Sequence, residues 1–319
     1  MAVLVDGIEK VACVGSGLVG QGWATLFALH GYSVVLEDVS EEIVKNARVR
    51  VGKQMRLLCD YGLAKDDGAA LTRVEASTDL QEAVEDADYV QESVFESYEV
   101  KKSVFSEMDE ASPPEAILAS STSGLLMSEI QKSVRHHPER CIVAHPWNPS
   151  YLVPLVELSP GCLTSRETIE RTRELMESIG KVPVVLRREV PGFIANRLSV
   201  ALWREALDLV DRGVASVEDV DKAVRAGPGL RWAIMGPYLT YHLGGGAGGL
   251  EYLMRHIGQA KSEWLRSMAK WTETPESAVE KAVKGVREMG VVREKSFEEL
   301  ERWRDDRLAE ILKILRRDL

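Results

Sequence analysis

Residues 11–20 read Val11-Ala12-Cys13-Val14-Gly15-Ser16-Gly17-Leu18-Val19-Gly20, a short apolar run closed by three glycines in the pattern GxGxxG. A helix-like stretch follows to about His30, Gly31 ends it, and Tyr32 to Leu36 reads as the next strand. Strand, glycine turn, helix and strand make a βαβ unit. In that setting each glycine has a task. Gly15 allows the tight turn, Gly17 lets a pyrophosphate approach the backbone, and Gly20 lets helix and strand pack closely. Leu18, Val19 and Gly20 open the helix, so their N–H groups and the positive end of its dipole face the phosphates. Asp38 lies 18 residues beyond Gly20, where a carboxylate accepts from both ribose hydroxyls and repels a 2′-phosphate. The expected cofactor is NAD rather than NADP.

Working outward, residues 41–60 form a charged amphipathic helix. Further strands are expected at Tyr89-Val90, Ile117 to Ser120, Cys141 to Ala144, Leu155 to Leu158 and Val182 to Leu186, with helix-like segments between most of them. This alternation predicts an α/β fold, a Rossmann-type doubly wound sheet. After about Arg188 the chain reads almost wholly as helix. Ser216 is an expected N-cap, with Asp219 three positions on, and Gly227-Pro228-Gly229 is a turn. Gly244 to Gly249 reads as a flexible loop. At 319 residues the chain exceeds what one core usually serves. Two domains are expected, 1–188 binding the dinucleotide and 189–319 an all-helical substrate and dimerisation domain.

Composition narrows the partners. The 50 acidic against 40 basic side chains give a formal charge of −10, which argues against nucleic acid or an anionic membrane as a bulk partner. No window approaches the roughly 20 apolar residues of a membrane span. The N-terminus lacks the layout of a signal peptide, so a cytoplasmic location is expected. The four cysteines form no CxxC pair, and neither they nor the histidines suggest a metal site.

Among six histidines, His145 stands apart. It follows the apolar run Cys141 to Ala144, at the carboxyl end where open α/β sheets place ligands. Twelve residues later Glu157 is a lone carboxylate in the apolar run Leu155-Val156-Glu157-Leu158. A buried carboxylate needs a partner, and a histidine is the natural one.

Together with GSGLVGQGWA, QESVFESYEVKK, STSGL, AHPWNPSYLVPLVEL, PGFIANRL, GLRWAIMGP and WRDDRL, these residues resemble the 3-hydroxyacyl-CoA dehydrogenase superfamily over nearly the whole chain. The resemblance is greatest to its lambda-crystallin (L-gulonate 3-dehydrogenase) and L-carnitine dehydrogenase branch. It implies that His145 is the general base and that Glu157 orients it. It implies that Ser123 and Asn196 stabilise the reacting oxygen, and that Ser121, Glu96 and Lys101 lie on the cofactor side. The implied chemistry is coherent. Hydride leaves a carbinol carbon as its hydroxyl proton is removed, and a neutral imidazole can take that proton near working pH. A carboxylate behind the ring fixes its tautomer.

The branch acts on free acids, so the expected reaction is NAD-dependent oxidation of the 3-hydroxyl of a small L-3-hydroxy acid of L-gulonate or L-carnitine type. Arg231 could grip a carboxylate, and Trp147, Asn148 and Trp232 are further substrate candidates. Tyr151 and Tyr241 add aromatic rings, and clustered rings would suit a quaternary ammonium. At Trp147 the chain departs from lambda-crystallin. The alternatives are a short-chain L-3-hydroxyacyl-CoA dehydrogenase, which would need a basic groove, and a non-enzymatic crystallin-like NAD-binding protein. A second domain too small to bury all its apolar faces suggests a homodimer formed through that domain.

Overall fold

The computed structural model describes residues 4–315, apart from the side chains of 257–260. Eight strands form one sheet: β1 (Lys10–Val14), β2 (Ser33–Glu37), β3 (Val74–Ser77), β4 (Tyr89–Glu92), β5 (Ile117–Ser120), β6 (Cys141–Pro146), β7 (Leu155–Pro160) and β8 (Val182–Val185). Their order is β3-β2-β1-β4-β5-β6-β7-β8. Neighbours run parallel except β6 and β7, which form an antiparallel pair. The chain turns back between β1 and β4, the switch point where open α/β sheets bind ligands.

The central strands are buried on both faces, which is why Val11 to Val14 is an unbroken apolar run. Helix α1 (Leu18–Leu29) is buried over most of its surface, its Trp23 and Phe27 rings stacked at 5.8 Å. Helix α2 (Glu41–Asp60) covers it with one face, burying Val44, Ala47, Val51, Met55 and Leu58 at helical spacing. Helices α3 (Leu80–Val84), α4 (Tyr98–Ala111) and α5 (Met127–Ile130) cover the opposite face of the sheet, and α6 (Arg166–Ser178) packs on the α1 face. Strand β3 is absent from the sequence reading. Its four residues, Val-Glu-Ala-Ser, bury only Val74, so no apolar run marks it. Pairing with β2 makes it a strand.

Beyond β8 the elements are helical: α7 (Ala195–Asp211), α8 (Val217–Ala226), α9 (Pro228–Trp232), α10 (Pro237–Gly244), α11 (Gly249–Ser267), α12 (Glu276–Glu288), α13 (Gly290–Glu294) and α14 (Phe297–Leu315). Ser216 caps α8 by accepting from the Asp219 N–H at 3.1 Å. Pro228 starts α9 directly, so Arg231 and Trp232 sit on a short helix rather than in a turn. The expected flexible loop at Gly244 to Gly249 is a compact turn between α10 and α11. A Cβ on Gly245 would meet the Gly249 carbonyl oxygen at 1.8 Å, and Gly246 and Gly249 have φ of 56° and 60°.

Two compact units result, one running to Asn196 and including the chain from Asp305 on, the other Arg197–Arg304. The division is not a single cut after 188. The last half of α14 returns to the first unit because Ala309, Leu308 and Leu312 pack into its core. Tyr151 Oη also donates there to the Asp305 carboxylate.

Candidate active site

The antiparallel pairing of β6 and β7 sets His145 directly opposite Glu157. Directly paired residues on antiparallel strands have Cβ atoms about 4.5–5.5 Å apart, so a spacing of twelve in sequence becomes contact. His145 Nδ1 lies 3.0 Å from Glu157 Oε2. The other oxygen, Oε1, accepts from the Ile194 and Ala195 N–H groups at 2.8 and 2.9 Å. Burial pushes the Glu157 carboxyl up, but the His145 bond and the two backbone donors outweigh it and hold its pKa below the usual value. An ionised carboxylate only accepts. Nδ1 therefore carries the hydrogen, and Nε2 of neutral His145 is left as a bare acceptor.

The backbone donors come from a feature the sequence reading passed over. Phe193 is buried with φ of 51°, a left-handed conformation unusual for an aromatic residue. Its ring centroid lies 5.4 Å from that of His145. This bend turns the next two N–H groups onto Glu157. The run Pro-Gly-Phe was visible, but a bend costing about 1–3 kcal/mol is read only from backbone angles.

Ser123 follows β5. Its N–H donates to Glu96 Oε1 at 2.9 Å, and Thr122 Oγ1 donates to the same oxygen at 2.6 Å. Asn196 Nδ2 donates to the Ser123 carbonyl oxygen at 2.7 Å, so Ser123 and Asn196 are brought together. Lys101 is buried, and its ammonium is given to Glu92 Oε1 (2.7 Å), the Val94 carbonyl (3.3 Å) and Glu96 (3.5 Å). It braces the 92–96 loop from inside. Ser121 Oγ lies within 3.1 Å of Trp23 Nε1, Gln91 Nε2 and Ser93 Oγ. Trp147 is half-buried, and its indole N–H is buried without a partner among the described residues. Asn148 is exposed.

The glycine turn passes a direct test for a dinucleotide. A Cβ on Gly15 would meet the Ser93 carbonyl carbon and oxygen at 2.8 Å, and one on Gly20 would meet the Gly15 oxygen at 1.9 Å. The fold itself requires those two. A Cβ on Gly17 meets nothing within 4 Å, so its absence leaves open space at the first turn of α1, where a pyrophosphate would lie. Asp38 is held ready, its Oδ2 accepting from the Ser16 N–H (2.8 Å) and hydroxyl (3.0 Å). Its Oδ1 accepts from the Val39 N–H at 2.9 Å and keeps one lone pair, which a ribose hydroxyl would use.

In the second unit Arg231 and Trp232 line a hollow of about 330 Å3 with Pro228, Thr240, Tyr241, Gly244 and Leu253. The Lys261 ammonium sits 3.9 Å above the Tyr241 ring centroid. Among the described residues there is no cluster of three His, Cys, Asp or Glu suited to a metal, and no helix long and apolar enough to cross a membrane.

A glycine turn with open space at the first turn of α1, a carboxylate just after β2 and a sheet switch point are the features of a dinucleotide-binding fold. The chain belongs to the 3-hydroxyacyl-CoA dehydrogenase family: the family's NAD binding domain matches residues 10–190 and its C-terminal domain residues 192–285. It is 43% identical to an L-carnitine dehydrogenase of Pseudomonas sp over 312 residues, covering 98% of this chain and 95% of the relative. An L-carnitine dehydrogenase of Bacillus cereus is also 43% identical, over 97% of this chain and 93% of its own. Among solved structures, an NAD+-dependent 5-formyl-3-hydroxy-2-methylpyridine 4-carboxylic acid 5-dehydrogenase superposes with TM-score 0.82 at 30% identity, over 97% of this chain and 99% of that one. The 3-hydroxybutyryl-CoA dehydrogenase of Escherichia coli gives TM-score 0.63 at 34% identity, over 74% and 49%. The activity class is NAD-dependent oxidation of a 3-hydroxy acid.

Proposed function

We propose that this enzyme oxidises the 3-hydroxyl of L-carnitine to the 3-keto acid with His145 as general base. The observation that carries the reading is the His145–Glu157 pair, in a chain similar over nearly its whole length to L-carnitine dehydrogenases. Nε2 of His145 takes the hydroxyl proton, and Glu157 steadies the imidazolium that forms. Ser123 donates its hydroxyl to the reacting oxygen, and Asn196 keeps the Ser123 loop in place through its carbonyl. Bound NAD accepts the hydride.

The unpartnered N–H of Trp147, two residues from His145, supports a small substrate that carries an oxygen acceptor. The test is NADH formation with NAD and L-carnitine, L-gulonate, L-3-hydroxybutyrate and its CoA thioester. Turnover of carnitine with a kcat/KM well above the others is expected. Turnover of only the thioester would overturn the substrate, and silence with NAD still bound would overturn the activity.

The enzyme works as a homodimer through the helical region 189–319, in the cytoplasm. Large apolar side chains stand exposed there, including Trp203, Ile234, Tyr238, Leu243 and Trp264, and a second copy would offer them cover. Cys13 and Cys141 are buried free thiols, in keeping with a reducing compartment. Light scattering at micromolar concentration is expected to give twice the 35.4 kDa chain mass, and a monomer would remove the dimer.

A further inference from the structure

Beside the glycine turn lies a chain of hydrogen bonds whose direction the donors and acceptors fix. Tyr89 Oη donates to Gln91 Oε1 at 2.7 Å. Gln91 Nε2 faces both Ser121 Oγ, at 2.8 Å, and the Ala144 carbonyl oxygen, at 3.4 Å. A carbonyl only accepts, so the amide nitrogen and not its oxygen must be on that side, and the Gln91 orientation follows. Trp23 Nε1, a donor only, reaches Ser121 Oγ at 3.1 Å.

Ser121 thus receives two N–H donors, and both lone pairs of its oxygen are taken. Its own hydrogen has one remaining partner, Ser93 Oγ, at 2.9 Å. Ser93 accepts that bond and keeps its hydrogen to give. Among the described residues no other group bonds the Ser93 hydroxyl.

Ser93 stands where such a donor has a use. It follows β4 at the sheet switch point, and its N–H donates to the Val14 carbonyl at 2.7 Å. Its backbone is what a Cβ on Gly15 would strike, and its own Cβ lies 3.8 Å from an added Cβ on Gly20. It is half-buried, so the hydroxyl is accessible without being freely solvated.

We propose that Ser93 is a dinucleotide-binding residue, its hydroxyl donating to an oxygen of bound NAD beside the glycine turn, with the donor direction imposed by Tyr89, Gln91, Trp23 and Ser121. Ser121 is then a positioning residue, its hydroxyl fully engaged inside the protein. The inference rests on the NAD cofactor and not on the substrate, so it stands or falls separately from carnitine oxidation.

The test is calorimetric titration of the substrate-free protein with NAD, for wild type and for Ser93→Ala, Ser93→Cys and Ser121→Ala, with the melting temperature of each apo protein as a control. A lost hydrogen bond to a neutral or charged acceptor corresponds to about fivefold to thirtyfold in Kd. Ser93→Ala is expected to weaken NAD by that factor, with a small drop in melting temperature from loss of the Ser121–Ser93 bond. Ser93→Cys keeps the shape but has a poor donor, and is expected to fall with Ala. Ser121→Ala leaves the Ser93 hydroxyl present and is expected to lose no more than about threefold. An affinity for NAD within twofold of wild type in Ser93→Ala overturns the proposal. So does a Ser93→Cys protein that binds like wild type, because a thiol is a much poorer donor than the hydroxyl it replaces.

Discussion

Glu157 and Glu37 stand on strands of one sheet, and both are withdrawn from water, at 1% and 7% exposure. Their acidities move in opposite directions. Burial pushes the Glu157 carboxyl up, yet one imidazole and two backbone N–H groups bring it below the usual value. At Glu37, burial and the neighbouring charge of Asp38 both push up, only the Gly15 backbone amide opposes them, and the pKa rises to about 7. Depth is therefore not what separates the two. The supply of donors is, and it differs because Glu157 faces a histidine and a bent segment that aims N–H groups at it. In the proposed mechanism an ionised carboxylate is what His145 needs behind it. At the end of β2 no such service is required, and Glu37 holds its proton well into the neutral range.

That contrast is open to attack, and the largest expected effect lies at the group Glu157 serves. His145→Ala should lower kcat by about 10²–10⁴-fold while leaving NAD affinity intact. Near-normal turnover would remove the general base and with it the reason for an ionised Glu157. Glu157→Gln should cost about 10²-fold in kcat, because a neutral amide neither fixes the Nδ1–H tautomer as firmly nor stabilises the imidazolium. A variant that loses NAD binding in parallel would point to a misfolded sheet instead.

Stability supplies the smaller effects, and their signs differ. The Glu157 pKa is lowered on folding, so its contribution is present above the ordinary 4.5 and is lost as pH falls through the folded value. Glu37 is raised, so the native state holds a proton between 4.5 and about 7 that the unfolded chain has released. Stability falls as pH rises through that window, and the full penalty applies above it. Glu37→Gln should accordingly raise stability at pH 8 by about 1–3 kcal/mol and make little difference at pH 4.5. Denaturant titrations at the two pH values check this. An equal gain at both would mean that packing, not charge, is responsible.

The chain's sequence by itself determined the dinucleotide turn, the α/β class and the change to helix after β8. These are local matters: glycine spacing, apolar runs and helical periodicity are written in neighbouring residues. It also singled out His145 and Glu157, because a carboxylate inside an apolar run calls for a partner. It did not mark β3, whose four residues become a strand only by pairing with β2. Nor did it mark the return of α14 to the first unit, which depends on an apolar face finding its complement far along the chain. The antiparallel register that sets His145 against Glu157, the left-handed Phe193 that supplies two more donors, and the Gln91–Ser121–Ser93 chain were all decided by tertiary structure. Hydrogen bonds need direction as well as proximity, and direction between distant segments is fixed only once the backbone has placed them.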